Sequence, residues 1–270
     1  MFQPILLIGL EPDISNLIHP TALVDTNAEL GSNVTVGPYS VIESNVIIGN
    51  DTYVGNHVTI CSGTTIGESC SVYHNCSIGE IPQDLKFDGG KTITKIGDRT
   101  TIREYVTINR GTKALGRTDI GSHCLLMAYV HVAHDCILGN HVILANMTTM
   151  GGHVVIGDWA SLGGGVLINQ FCRIGEHVFV GAGFKVAQDV PPFILAANTP
   201  LSFVGINRVG LTRRGFSSKD KKIIKEIYTT YFRSGSNRNQ ALEKIKSDFE
   251  RSNYRDSILE FIRSSKSGII

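Results

Sequence analysis

Every sixth residue from Ile18 is aliphatic: Ile18, Val24, Leu30, Val36, Ile42, Ile48, Val54, Ile60, Ile66, Val72 and Ile78. The phase returns at Ile96, Ile102 and Ile108, then runs unbroken from Ile120 to Val186, with Met150 its one residue that is not Ile, Leu or Val. Period six is neither the 3.6 of a helix nor the alternation of a plain strand. It fits a very short strand followed by a corner, and hexads of this kind build a parallel β-helix. With the aliphatic residue counted as first, the second position is often glycine, as at Gly31, Gly49, Gly121 and Gly157, which suits a tight backbone path. The fifth is small or β-branched, as at Ala22, Val34, Ser40, Thr52, Val130 and Ala160. One large and one small side chain per hexad therefore face inward. About 26 hexads, three to a coil, predict about nine coils and a prism roughly 40 Å long at ~4.8 Å per coil.

The phase fails twice, over 79–95 and 109–119, and residues inserted into a solenoid project as loops from one face, often the binding face. It ends at Pro191-Pro192. Beyond it Ser217 and Asp220 have capping-box spacing, a helical stretch runs to Gly235, and two more helical segments follow near 237–250 and 254–264. The chain divides into a lead-in over 1–17, a β-solenoid over 18–192, and a connecting segment with an α-helical domain over 193–270.

Composition sharpens this picture. With 42% apolar residues in 270, the chain forms a core and is not a disordered tail. No apolar run reaches the ~18 residues of a membrane span. The apolar stretch Pro4–Leu10 lacks the basic flank and small-residue cleavage site of a signal peptide. The net charge of +1 conceals an asymmetry: residues 201–270 carry 15 Lys and Arg against 7 Asp and Glu, and residues 1–200 carry 10 against 17. A basic helical domain on a mildly acidic body should attract an acidic partner. Cys70, Cys76, Cys124, Cys136 and Cys172 all take the small fifth position, where a free thiol serves as a small buried hydrophobe; only Cys61 does not. That placement hints at no disulfide or metal pairing and suits a reducing cytoplasm.

The histidines sort against the repeat. His57, His123, His141 and His177 hold the fourth position and read as solvated corners, while His19 and His74 have no cluster around them. His131, His134 and His153 differ. Residues eighteen apart stack on adjacent coils, which aligns His134 with Gly152 and Gln170, and Asp135 with His153 and Phe171. A histidine beside an aspartate thus faces a glycine. Histidine is the usual general base at neutral pH, and a glycine N–H in open space can stabilise an oxyanion. The plainer alternative is a polar stripe on the solenoid surface.

At His131-Val-Ala-His-Asp-Cys136 the sequence closely resembles the UDP-N-acetylglucosamine O-acyltransferase family that opens lipid A biosynthesis. Ile81–Lys86, Gly152–Val154, Asn169–Cys172, Val186–Pro192, Gly205–Asn207 and Arg213–Phe216 carry the resemblance over nearly the whole chain. It implies a left-handed parallel β-helix, a homotrimer with active sites between neighbouring prisms, and transfer of an (R)-3-hydroxyacyl group from acyl carrier protein to the 3-hydroxyl of the UDP-sugar. It makes His134 the general base, Asp135 its orienting partner and Gly152 the oxyanion donor. Gln83, Asp84 and Lys86 would meet the sugar and acyl group with His131 and His153 beside them. Asn169, Gln170, Asn207, Arg213 and Arg214 would bind substrate, chiefly its nucleotide, and Phe179, Ala182 and Phe184 would line the acyl-chain tunnel. No metal or cofactor is implied. The acidic carrier protein would answer the basic tail.

The chain departs from the family pattern at Asn169, where histidine is frequent, at Val209, where an acidic residue meets the nucleotide, and at Ala182, often glycine. Transfer to a 3-amino sugar to form an amide, or to another acceptor, would use the same fold. Two further readings compete: a three-histidine zinc hydratase and a non-enzymatic scaffold. A nucleic-acid role for the tail lacks stacking platforms and recognised motifs.

The methyl group of Ala182 in the floor of the tunnel predicts a preference for acyl chains shorter than those taken by a glycine-bearing relative. Rates with carrier protein loaded with a series of chain lengths test this, and the longest chain proving the best donor would refute it.

Overall fold

In a computed structural model, residues 16–235 and 237–270 are described. The stretch Pro4–Leu10 and the part of the lead-in before Asn16 lie outside the described residues. The hexads form strands of two to four residues joined by turns, stacked into sheets of eleven, nine and eight strands. Each solenoid strand up to Leu167–Ile168 pairs with the third strand after it, so that Leu17 and Ile18 lie beside Thr35 and Val36, eighteen residues on. All strands through Ile194–Ala197 are parallel, and only Ser202–Ile206 is antiparallel. At three strands per coil this is the stack of about nine coils that the period predicts.

First-position aliphatics such as Val36, Ile60, Ile102, Leu144 and Val180 form the buried axis, and fifth-position residues pack beside them. Polar fifth-position residues such as Ser40 and Thr52 close a hydrogen bond to a carbonyl of the next coil, whereas Thr64 Oγ1 is buried without a partner among the described residues. Ser40 Oγ donates to Gly55 O at 2.7 Å and Thr52 Oγ1 to Gly67 O at 2.9 Å. The thiols of Cys124 and Cys136 do the same to Gly139 O and Gly151 O, at 3.2 and 3.3 Å. Cysteine thus fills the site of a small hydrophobe while satisfying a backbone acceptor. Burial pushes the thiols of Cys76 and Cys136 up to about 12, which leaves them protonated and unreactive near neutral pH.

The fourth position adopts positive φ regardless of side chain: 55° at His57, 59° at Asp135, 63° at Trp159 and 67° at Phe171. Such a conformation costs an L-residue roughly 1–2 kcal/mol. Its return is a reversed N–H that donates to the preceding coil, as from His57 to Pro38 O at 3.0 Å and from Phe171 to Gly152 O at 3.1 Å. Successive corner side chains then stack, and His123, His141, Trp159, His177 and Phe193 form one continuous column of rings.

Two coils are enlarged. Thr64 pairs with Thr94, thirty residues on, and Thr107 with His131, twenty-four on, so the insertions add twelve and six residues to the ordinary eighteen. The flanking strands grow into them, leaving loops of 81–92 and 110–116, shorter than the loss of phase implies. Beyond Pro192 the structure differs from the helical expectation. Ile194–Ala197 first extends the eleven-stranded sheet, and Ser202–Ile206 folds back on it. A short helix α1 (Arg208–Arg213) follows, which has no periodic signal in the sequence. Then come α2 (Ser218–Arg233), α3 (Arg238–Asp248) and α4 (Asn253–Arg263). The expected capping box is present: Ser217 Oγ accepts from Asp220 N at 3.1 Å, and Asp220 Oδ2 accepts from Ser217 N at 2.9 Å. The buried Tyr228 of α2 donates to Pro192 O at 2.6 Å, and Arg173 reaches Asp189 on the last coil and Phe261 O on α4, seating the helices on the end of the prism. No described helix is long and apolar enough to cross a membrane.

Two predictions follow from the packing. A Cβ at Gly49 would lie 2.6 Å from Glu68 N and Gly67 C in the next coil. Gly49→Ala should therefore cost about 1–3 kcal/mol, seen as a lower thermal midpoint, and an unchanged midpoint would mean that coil spacing yields freely. His177 Nδ1 is buried without a hydrogen-bond partner among the described residues, and burial, then the charge of Arg214, lowers the histidine to about 4. The unfolded chain, whose histidine titrates near 6.5, takes up a proton that the fold refuses, so this contribution is complete above ~6.5 and is lost as pH falls toward about 4. His177→Phe keeps the ring column and should flatten the acid loss. Denaturant unfolding at pH ~7, ~5.5 and ~4.5 checks this, and equal pH slopes in both proteins would place the sensitivity elsewhere.

Candidate active site

Both insertions leave the nine-stranded sheet and return in the eight-stranded one, so they overhang the corner between those two sheets. Three successive coils place His134-Asp135, Gly152-His153 and Gln170-Phe171 at that same corner. The first loop brings Gln83, Asp84 and Lys86 to it, and together with Asn109, His131, His134, Gly152 and Gln170 they line a cavity of about 360 Å³. Asp84 shapes its own loop, with Oδ1 accepting from Lys86 N at 2.9 Å.

His134 is 8% exposed and Asp135 is 1% exposed. His134 Nδ1 lies 2.8 Å from Asp135 Oδ2. A carboxylate only accepts, so the proton is assigned to Nδ1, and Nε2 keeps the basic lone pair. Burial opposes ionisation of Asp135, yet hydrogen bonds from Thr112 and His134 outweigh it and hold the carboxyl below its ordinary value. Thr112 Oγ1 donates to Oδ2 at 2.6 Å and Thr112 N to Oδ1 at 2.9 Å.

A Cβ at residue 152 would lie 2.7 Å from His134 Nε2 and 3.0 Å from Nδ1, so the imidazole can lie there only because Gly152 has no side chain. At some other coils the N–H of the same hexad position is capped from the next coil. Ser122 N donates to Asn140 Oδ1 at 2.9 Å, and Asn140 N to Asp158 Oδ1 at 2.8 Å. Gln170 makes no such bond, and the Gly152 N–H has no hydrogen-bond partner among the described residues. A basic nitrogen and a free backbone donor thus share one cavity, the combination that acyl transfer requires.

His131 has Nδ1 2.7 Å from Thr107 Oγ1, and burial, followed by the charge of His134, lowers its pKa, so it is neutral at pH 7. His153 stacks on Phe171 at 4.7 Å, meets His134 edge-on at 5.2 Å, and carries Nε2 3.5 Å from Asp135 Oδ2. Ligand atoms of His134, Asp135 and His153 lie within 4.8 Å of one another, a possible metal-binding set. The Asp135 oxygens are already engaged by Thr112 and His134, so this carboxylate serves as a hydrogen-bond hub.

The other sequence-selected residues lie elsewhere. Asn169 is exposed and outside the cavity lining. Phe179, Asn207, Arg213 and Arg214 border a separate, largely apolar groove of about 640 Å³, formed by the outer face of the eleven-stranded sheet and α1, with Val209 on its rim. Asn207 is 8% exposed, and both ends of its amide are engaged: Oδ1 accepts from Gly210 N at 3.1 Å to cap α1, and Nδ2 donates to His177 O at 2.9 Å. Arg214 lies over the Trp159 ring at 5.1 Å. Ala182 is an exposed corner residue and Phe184 is half-buried, so within one chain neither closes a tunnel. The sequence reading missed Asn109 and Thr112, since both fall where the hexad phase breaks.

A family model described as the second domain of UDP N-acetylglucosamine O-acyltransferase matches residues 189–270, and a bacterial transferase hexapeptide model matches 27–62 and 117–152. The chain is 56% identical over 253 residues to the acyl-[acyl-carrier-protein]--UDP-N-acetylglucosamine O-acyltransferase of Sulfurihydrogenibium sp. (strain YO3AOP1), covering 93% of each chain. It is 57% identical over 254 residues to the protein of the same name from Chlorobium phaeobacteroides, covering 94% of this chain and 96% of that one. A solved UDP-N-acetylglucosamine acyltransferase from Bacteroides fragilis superposes with a TM-score of 0.93 at 42% identity, covering 94% of this chain and 100% of the other.

Proposed function

The chain belongs to the UDP-N-acetylglucosamine O-acyltransferase family, and we propose that it moves an (R)-3-hydroxyacyl group from acyl carrier protein to the 3-hydroxyl of UDP-N-acetylglucosamine, the opening step of lipid A biosynthesis, with His134 as general base. The observation that carries this is the imidazole of His134, held through Nδ1 by Asp135 and packed into the space left by the missing side chain of Gly152, whose N–H has no partner among the described residues. His134 Nε2 takes the proton of the sugar hydroxyl as its oxygen attacks the thioester carbonyl. Gly152 N–H receives the oxyanion. Collapse breaks the carbon–sulfur bond, and the imidazolium returns its proton to the departing thiolate, leaving an ester and a free carrier thiol. Gln83, Asp84 and Lys86, on the loop above, supply the polar contacts that orient sugar and acyl group.

The protein acts as a homotrimer in the cytoplasm. A shared site is supported by the division of candidate residues. His134 occupies the corner between two sheets, while Arg213, Arg214 and the apolar groove lie on the outer face of the third. A neighbouring prism presenting that groove would bring nucleotide and acyl contacts to the base. Asn207 contributes by fixing α1, and Ala182 and Phe184 complete the tunnel only against a neighbour. For the carrier protein, Arg208, Lys221, Lys222, Lys225 and Arg233 surround a second groove, of about 390 Å³, on the helical domain. An acidic protein would be steered there, more strongly at low salt.

Acyl transfer by purified protein, with UDP-N-acetylglucosamine and its 3-amino analogue compared side by side, tests the assignment. His134→Ala should lower kcat by roughly 10²–10⁴ without loss of fold. Transfer to the amine alone would change the product to an amide. Unaltered transfer by the variant would remove His134 from its role.

A further inference from the structure

The carboxylate that orients His134 is itself gripped by a residue outside the hexad frame. Thr112, the third residue of the 110–116 loop, donates its backbone N–H to Asp135 Oδ1 at 2.9 Å and its hydroxyl to Oδ2 at 2.6 Å. The hydroxyl oxygen accepts from Ala114 N at 3.1 Å, which leaves its proton directed at Asp135. Thr118, on the strand that closes the insertion, accepts the N–H of Asp135 at 2.9 Å. The positive-φ corner is thus held from both ends of one insertion. That insertion is anchored in turn, with Arg110 Nε donating to Gly79 O at 2.9 Å and Asn109 Nδ2 to Ile81 O at 2.9 Å, at the root of the loop that carries Gln83, Asp84 and Lys86.

We propose that Thr112 is a positioning residue for acyl transfer, acting through Asp135 to fix the direction and basicity of His134. This rests on His134 being the base. With Oδ2 shared between the Thr112 hydroxyl and His134 Nδ1, the carboxylate cannot rotate without breaking a bond to one of them, and Nε2 stays aimed into the cavity. Removing the hydroxyl has two consequences of known sign. The carboxylate becomes freer to rotate, which lowers kcat, because misplacement of a reacting group by about an ångström costs up to ~10²-fold. It also concentrates charge on Oδ2 and favours the imidazolium, which raises the pKa of the base. The charged or titratable groups around this pair are His131, His153, Asp84, Lys86 and the Cys136 thiol, and of these His153 comes nearest the carboxylate, with Nε2 3.5 Å from Oδ2.

Thr112→Val should lower kcat by about tenfold to a hundredfold while KM for the UDP-sugar changes less than about threefold, and should move the acid limb of the kcat/KM–pH profile upward. Thr112→Ser should restore both rate and profile. In an Asp135→Asn background, Thr112→Val should add little, since its effect passes through that carboxylate. Should valine weaken the fold, as its thermal midpoint would reveal, Thr112→Ala tests the same bond without the extra methyl group. An inactive His134→Ala beside a Thr112→Val (or Ala) with wild-type kcat and acid limb would overturn this proposal alone. A fully active His134→Ala would overturn the base assignment itself. A serine variant as impaired as valine, or a full additional loss in the Asp135→Asn background, would also refute the positioning role.

Discussion

The stacking of residues eighteen apart is the constraint on which everything else depends. A two-residue strand is far too short to be stable alone, and each coil exists because its backbone donors and acceptors are met by the coils on either side. The closeness of that stacking fixes composition at every level. It leaves no room for a Cβ at Gly49, allows small fifth-position residues to reach a carbonyl of the next coil, and forces the fourth position into a left-handed conformation. The same closeness puts the imidazole of His134 against the backbone at Gly152. In this chain the spacing that builds the scaffold is also the spacing between base and oxyanion donor, so the site inherits the rigidity of the stack.

Rigidity alone would not make a buried aspartate tolerable. Asp135 is 1% exposed, and an ionised carboxylate so placed needs donors at close range. Within hydrogen-bonding distance the repeat supplies only the His134 side chain. The six-residue insertion resolves this by delivering Thr112 from outside the frame, with His134 as the other side-chain donor. The twelve-residue insertion then roofs the same corner with Gln83, Asp84 and Lys86. Regular coils position the groups that must not move, and the interruptions provide chemistry that a hexad cannot.

This division explains what could be read from the sequence. The period gives the solenoid, the fate of five cysteines and the alignment of His134 with Gly152, because all of these follow from spacing. The capping box at Ser217 and Asp220 is equally local and is present. The left-handed corner escapes notice because residues as different as His57, Asp135 and Phe171 adopt it, so the backbone requirement leaves no mark on composition. Thr112 and Asn109 escape because the insertion removes the frame that would align them with Asp135 and His131. The Ile194–Ala197 strand continues the eleven-stranded sheet after the hexad pattern has gone, and its pairing is dictated by the coil beneath it.

Asn207 shows how far a motif can be trusted to report a side chain's task. Its position in the sequence suggested a substrate contact, yet both ends of its amide are engaged, one by α1 and one by the corner carbonyl of His177. A residue so bound acts on a ligand by holding others in place. Capping α1 fixes the helix that carries Val209 and Arg213 along the rim of the apolar groove. The groove and the catalytic corner thus share one design: in each, a short backbone segment is oriented by a buried polar side chain that is fully hydrogen-bonded. At the corner that side chain is Asp135, and in the groove it is Asn207. Loss of either would be felt first as a misplaced neighbour, which is why polar residues with no free valence still belong to the working parts of this molecule.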